Sequence, residues 1–127
     1  MHRRTRLRAR SVKRAAISGE RAAFVARILA ERPACEFGRQ VAPAINSPRL
    51  ALPDAALIVR AVRGCATRTV DVHEVWTRGR GGPIVPSQGL TDAGVLALCR
   101  PCHDWITTHP DLAEALGCVI HSWEAPR

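Results

Sequence analysis

No uninterrupted apolar run in this chain approaches the ~18 residues of a membrane-spanning helix, so no segment is expected to cross a bilayer. No export signal is expected either, because the N-terminal arginines lead into a helical pattern and not into an apolar segment. Five cysteines without such a signal are expected as reduced thiols or metal ligands, not disulfides, and the expected compartment is the cytoplasm. Methionine is confined to Met1, which leaves no internal thioether to serve a haem as its second axial ligand. Lysine is confined to Lys13, against eighteen arginines. Acid is absent from residues 1–14, and no internal repeat is present.

The 127 residues fit one domain with a modest core. Most of the formal net charge of +8 sits at one end. Arg3, Arg4, Arg6, Arg8, Arg10, Lys13 and Arg14 carry +7, leaving +1 for residues 15–127. Such a run is expected to be a disordered basic arm that orders on a phosphate backbone, where arginine makes bidentate contacts. A solvated tail in an arginine-biased chain is the competing explanation.

Ser18 is a candidate N-cap for a helix to about Arg32, with Ala22, Val25, Ile28 and Leu29 on one face and Pro33 as the stop. Residues 33–53 hold four prolines and little pattern, which predicts a loop. A second helix is expected from Pro53 through Val62, closed by Gly64. Val70 to Trp76 largely alternates and predicts a strand. Residues 78–89 are a glycine- and proline-rich loop, and Val95-Leu96-Ala97-Leu98 is the expected partner strand. Pro101 opens a short helix carrying His103, Trp105 and Ile106, stopped by Pro110. A last helix over 111–116 ends at Gly117, and Val119, Ile120 and Trp123 follow as a strand or packed tail. The units expected are a basic arm at 1–14, a helical region at 15–64 and a metal-bearing core at 65–127.

Two clusters carry chemistry. Cys99-x-x-Cys102 has the knuckle spacing of a tetrahedral structural zinc, and Cys35 and Cys65 are the natural remaining donors. Cys118 falls outside that pattern and is expected to be a small buried apolar residue. Cys99-Arg100-Pro101-Cys102-His103 also spells the attachment motif of c-type haem, which the lack of an export signal and of an internal Met argues against. The second cluster is Asp71-Val72-His73-Glu74, three groups able to hold or be polarised by a divalent cation. Alternation places Asp71 and His73 on one face of the strand and Glu74 on the other, or at its twisted end. A zinc gripped by Cys102 would hold the adjacent His103 near that strand.

Asp71-Val72-His73-Glu74, the Gly81-Gly82 pair seven and eight residues after Glu74, and Leu98 through Trp105 together resemble the HNH endonucleases. The likeness is to the small phage-type group with four-cysteine zinc sites, and it covers about residues 65–110. It implies an α+β fold with a ββα-metal core of strand, loop, strand and helix. It also implies one catalytic divalent ion (Mg2+, Mn2+, Ni2+ or Zn2+) beside the structural Zn2+. Carried over residue by residue, His73 takes the first metal-ligand slot, Glu74 stands where the general-base His usually sits, Asp71 supports the site and His103 is a metal ligand. Two departures follow. Either Glu74 accepts the proton or His73 does, with Glu74 as a ligand. Gly94 stands where the motif Asn braces the loop, and Asp92 or Ser87 would have to substitute for it.

The resemblance implies hydrolysis of DNA phosphodiester bonds, with Arg78, Arg80 and Arg100 near the cut and Arg3, Arg4, Arg6 and Arg8 on the backbone. It also implies a phage-encoded protein acting in the host cytoplasm beside packaging machinery, with the terminase as partner. The competing class is a zinc-stabilised DNA-binding or assembly protein whose catalytic site has decayed.

Overall fold

The structure, a computed structural model, describes residues 3–120, with side chains from residue 12. Five helices surround one two-stranded sheet. Helix α1 spans Arg3–Glu31, α2 Phe37–Ile45, α3 Leu52–Arg63, α4 Arg100–Thr108 and α5 Pro110–Ala115. Strands β1 (Asp71–Glu74) and β2 (Val95–Leu98) are antiparallel, with Asp71 opposite Leu98 and His73 opposite Leu96. Among the described residues no helix is long and apolar enough to cross a membrane.

The register gives the sheet two distinct faces. Val72, Val95 and Ala97 pack with Phe24 and Ile28 of α1 in one apolar cluster. Leu96 and Leu98 face the other way, into a cluster with Phe37, Val41, Ile58, Cys102 and Ile106 from α2, α3 and α4. Helix and sheet are thus layered, and every residue of β1 points at one helical layer or the other.

Two expectations change here. The segment read as a disordered basic arm is helical from Arg3 and continuous with α1, so Ser18 lies inside a helix and caps nothing. Arg, Leu and Ala are strong helix formers, no Gly or Pro interrupts residues 3–18, and the helix is anchored downstream by Phe24 and Ile28. The side chains of Arg3, Arg4, Arg6 and Arg8 lie outside the described ones. The second change is in 33–53, expected as loop, which contains α2. Phe37 and Val41, four residues apart, are both fully buried, and this outweighs the single backbone bond that Pro43 forfeits.

The other elements follow the sequence pattern closely. Pro33 ends α1, and Gly64 closes α3 by donating its N–H to the Arg60 and Ala61 carbonyls. The 78–89 segment is loop with two short 3-10 turns, Arg78–Arg80 and Pro86–Gln88. Val119 and Ile120 run beside β1, where Ile120 N–H donates to Val75 O at 3.0 Å, while Trp123 lies outside the described residues.

Candidate functional site

Cys35 follows α1, Cys65 follows α3, and Cys99 and Cys102 bracket the start of α4. All are free thiols, and their sulfurs lie within 4.8 Å of one another. A tetrahedral ion with ~2.3 Å sulfur bonds would set its ligands about 3.8 Å apart, and Cys65 Sγ lies 3.7 Å from Cys99 Sγ. Backbone amides complete the knuckle: Ala66 N–H donates to Cys99 Sγ and Thr67 N–H to Cys65 Sγ, each at 3.3 Å. Thr67 holds φ 65 to bring its amide there. Four cysteines so arranged can hold a metal ion.

Burial would raise the Cys99 thiol, but the amides of Cys102 and Ala66 outweigh it and bring the thiol down to about 7. Burial and the neighbouring Cys99 push Cys102 upward. Cys99 is therefore the readiest thiolate of the nest, and a bound cation would favour loss of the protons that burial holds on Cys35 and Cys102. Cys118 stands apart, wholly buried, its thiol pushed up to about 11 by burial alone.

On the α4-facing side of the sheet, Asp71, His73 and His103 come together. The backbone N–H of His103 donates to Cys99 O at 3.1 Å, so the cysteine nest and this histidine share one helical turn. The rings of His73 and His103 meet edge to face, 5.4 Å between centroids. Asp71 Oδ1 lies 3.1 Å from Arg100 Nη2. Asp71 Oδ2 lies 3.2 Å from His103 Nδ1, yet it is buried and accepts no hydrogen bond among the described residues.

His73 is buried and held from behind, its Nε2 2.8 Å from the Cys118 carbonyl. A carbonyl only accepts, so Nε2 carries the proton and Nδ1 of the neutral ring keeps its lone pair. Burial lowers the pKa of His73; the Cys118 carbonyl opposes this and His103 adds to it. The imidazole is therefore neutral at pH 7.

Glu74 lies on the opposite, α1-facing side. It forms an ion pair with Arg21 Nη1, and Arg21 also donates to Ile84 O at 2.8 Å. Helix α1 further pins the loop between the strands. Arg27 makes two hydrogen bonds to Asp92, at 2.9 and 2.7 Å, and Glu20 accepts from the Ser87 amide and hydroxyl, both at 2.7 Å. Asp92 and Ser87, the residues singled out to stand in for the missing Asn, are both engaged in bracing this loop. Gly94 has room for a side chain, with Thr91 Oγ1 3.4 Å from an added Cβ. Gly82 has none, since its Cβ would fall 1.8 Å from Trp76 O, and Gly81 holds φ 83 to end the Arg78–Arg80 turn.

Of the three arginines expected near the cut, Arg80 is tied to Glu114 at 3.0 Å and Arg100 to Asp71, whereas Arg78 is exposed. Among the described residues, the four cysteines are the sole set of three or more His, Cys, Asp or Glu groups that closes into a metal nest.

Glu36 and Arg32 are the residues that pattern reading missed. Glu36 is 8% exposed and acts as a surrogate third strand on the free edge of β2. Its N–H donates to Ala97 O at 2.9 Å and its Oε1 accepts from Ala97 N–H at 2.7 Å. Arg32 donates to Glu36 and to the carbonyls of Asp92 and Val95, both at 2.8 Å. The four-residue spacing of Arg32 and Glu36 was the available signal. Burial would raise the Glu36 pKa, but Arg32, the Ala97 amide and Arg39 together hold it below the usual carboxylate range.

Glu36→Ala is expected to cost about 2–3 kcal/mol, less than the ~3–5 of a fully buried pair because Arg32 keeps some water access. A depressed carboxylate stabilises above its unfolded pKa and ceases to do so as pH falls through its folded value. The gap between parent and variant in chemical denaturation should therefore close on acidification; a gap that widens would refute this role.

No protein-family model, no curated protein and no solved structure matches this chain.

Proposed function

We propose that the protein is a divalent-metal-dependent HNH-type endonuclease that hydrolyses DNA phosphodiester bonds, its core stapled by zinc at Cys35, Cys65, Cys99 and Cys102. The observation that carries this reading is the orphaned Asp71 Oδ2. A buried carboxylate oxygen without a hydrogen bond is costly unless a cation meets it. Its 3.2 Å separation from His103 Nδ1 matches two donors sharing one ion at ~2.1 Å bonds, which stand roughly 3–3.4 Å apart. Asp71 and His103 would hold that ion. When bound, it would neutralise the scissile phosphate and stabilise the leaving oxygen.

His73 supplies the base. Its lone pair at Nδ1 is available at neutral pH, and the Cys118 carbonyl fixes the ring, so Nδ1 accepts the proton of the attacking water. Glu74, which stands where the resemblance puts the general base, faces α1 and is matched to Arg21, which supports the alternative in which His73 is the base. Its position off the Asp71–His103 side also argues against a ligand role. Arg100 holds Asp71 aligned. A phage setting, with the terminase as partner, rests on the resemblance alone.

The second reading, a zinc-stabilised DNA-binding or assembly protein with a decayed site, draws on Gly94 in place of the motif Asn. The bracing of that loop from α1 by Asp92 and Ser87 weakens it. A supercoiled-plasmid assay decides between them. The zinc-loaded parent should cut with added Mg2+, Mn2+, Ni2+ or Zn2+ and not in chelator mild enough to spare the structural site, and Asp71→Asn and His103→Ala should not cut with any of them. A parent inert with every ion, or variants that cut like it, would sink the nuclease reading.

A further inference from the structure

A cleft of about 510 Å3 opens between α1 and the 78–89 loop, walled by Arg14, Ile17, Ser18 and Arg21 on one side and by Arg78 and Gln88 on the other. The two acids beside it are already engaged. Glu74 is paired with Arg21, and the Glu20 carboxylate accepts two hydrogen bonds from Ser87. The side chains of Arg14 and Arg78 are exposed and make no ion pair or hydrogen bond among the described residues. Two uncompensated arginines thus line a space large enough for a phosphate, alongside Arg21, which is paired with Glu74 and bonded to Ile84 O.

The basic residues of α1 extend that charge away from the cleft. Positions 3, 10, 14 and 21 recur at spacings of seven and four, which places them along one helical face. From position 14 back to position 3 the helix advances about 16 Å at ~1.5 Å per residue. Duplex DNA carries one charge per ~1.7 Å of its axis, so this face can follow several phosphates. Arg21, on the wall of the cleft, is paired with Glu74, the neighbour of His73 on β1.

The geometry points to this cleft as a phosphate-binding track for duplex DNA, with Arg14 and Arg78 gripping one backbone on the α1-facing side of the sheet. The track rests on DNA as the partner but not on DNA being cut. A duplex backbone is the occupant that fits, because the basic positions continue along one face of a single helix and not around an enclosed pocket. Arg21 is a positioning residue here, keeping the 78–89 loop against α1 through Ile84 O.

The test is binding of a 30-base-pair duplex to the full zinc-loaded chain across a salt series, without a catalytic ion. Arg14→Ala and Arg78→Ala should each weaken affinity on the order of tenfold at ~0.1 M salt and flatten the plot of log K against log salt by about 0.9, with the double variant losing about 1.8. Arg49→Ala, an equally exposed arginine between α2 and α3, should match the parent in both. Zinc content and melting temperature should not change in any of the four variants. A double variant with the parent's affinity and slope overturns the track, as does an Arg49→Ala loss equal to that of Arg14→Ala. A parent that never cuts, but whose salt slope depends on Arg14 and Arg78, leaves the track standing and removes the nuclease reading. A parent that cuts while the double variant binds as well as it does overturns the track and leaves the nuclease reading standing.

Discussion

Cys99→Ser is expected to abolish metal binding and unfold the domain. Purified parent should carry about one zinc per chain by elemental analysis, and the variant none. The expected effect is large because a structural zinc contributes about 10–16 kcal/mol of apparent binding free energy, comparable to the ~5–15 kcal/mol of a whole domain's stability. The four sulfurs gather the ends of α1 and α3 and the start of α4 into one place, so losing the ion releases three helices together. Cys118→Ser is the matched control. Its thiol lies outside the nest, so the variant should keep its zinc and lose only the ~1–3 kcal/mol of burying a hydroxyl without a partner. Loss of zinc from Cys118→Ser, or its retention in Cys99→Ser, would overturn the ligand assignment.

His73→Ala should slow DNA cutting by ~10²–10⁴-fold, the range for removal of a positioned base, while leaving affinity for the catalytic ion close to that of the parent. Glu74→Ala should cut at nearly the parent rate at saturating DNA, since its carboxylate faces Arg21 across the sheet from Asp71 and His103. Asp71→Asn and His103→Ala should lose both ion and activity. Calorimetric titration of the four variants on zinc-replete protein, run beside the plasmid assay, separates ligand from base. Should Glu74→Ala kill cutting with ion affinity intact while His73→Ala still cuts, the base is Glu74 and the assignment is reversed.

Much of this molecule is legible along the chain. The Cys99-x-x-Cys102 knuckle, the β1 and β2 strands, the helix opened by Pro101 and the Gly64 stop all depend on residues a few positions apart, where spacing and turn chemistry act directly. The Gly81-Gly82 pair belongs here too, since one needs positive φ and the other tolerates no Cβ beside Trp76 O. Local pattern failed where long-range burial outweighs it. Prolines predicted loop where Phe37 and Val41 form a helix against the core, and a basic run predicted an unstructured arm where α1 continues from an anchored end.

Alternation along β1 separates His73 from Glu74, but it says nothing of which side meets α4 and which meets α1. That depends on how Leu96 and Leu98 on one face, and Val95 and Ala97 on the other, are covered by different helices. Once His103 is delivered to the Asp71 side and Arg21 to the Glu74 side, the two neighbours acquire different partners and different chemistry. Glu36 is the clearest case of the same limit. Its role as a surrogate strand on β2 requires Ala97, 61 positions away, and no window of sequence contains both. Ligand types and their spacing are properties of the chain, because they follow from short-range covalent geometry. The orphaned Asp71 oxygen and the tautomer of His73 belong to the tertiary structure alone, because both depend on which distant group packs against a buried atom.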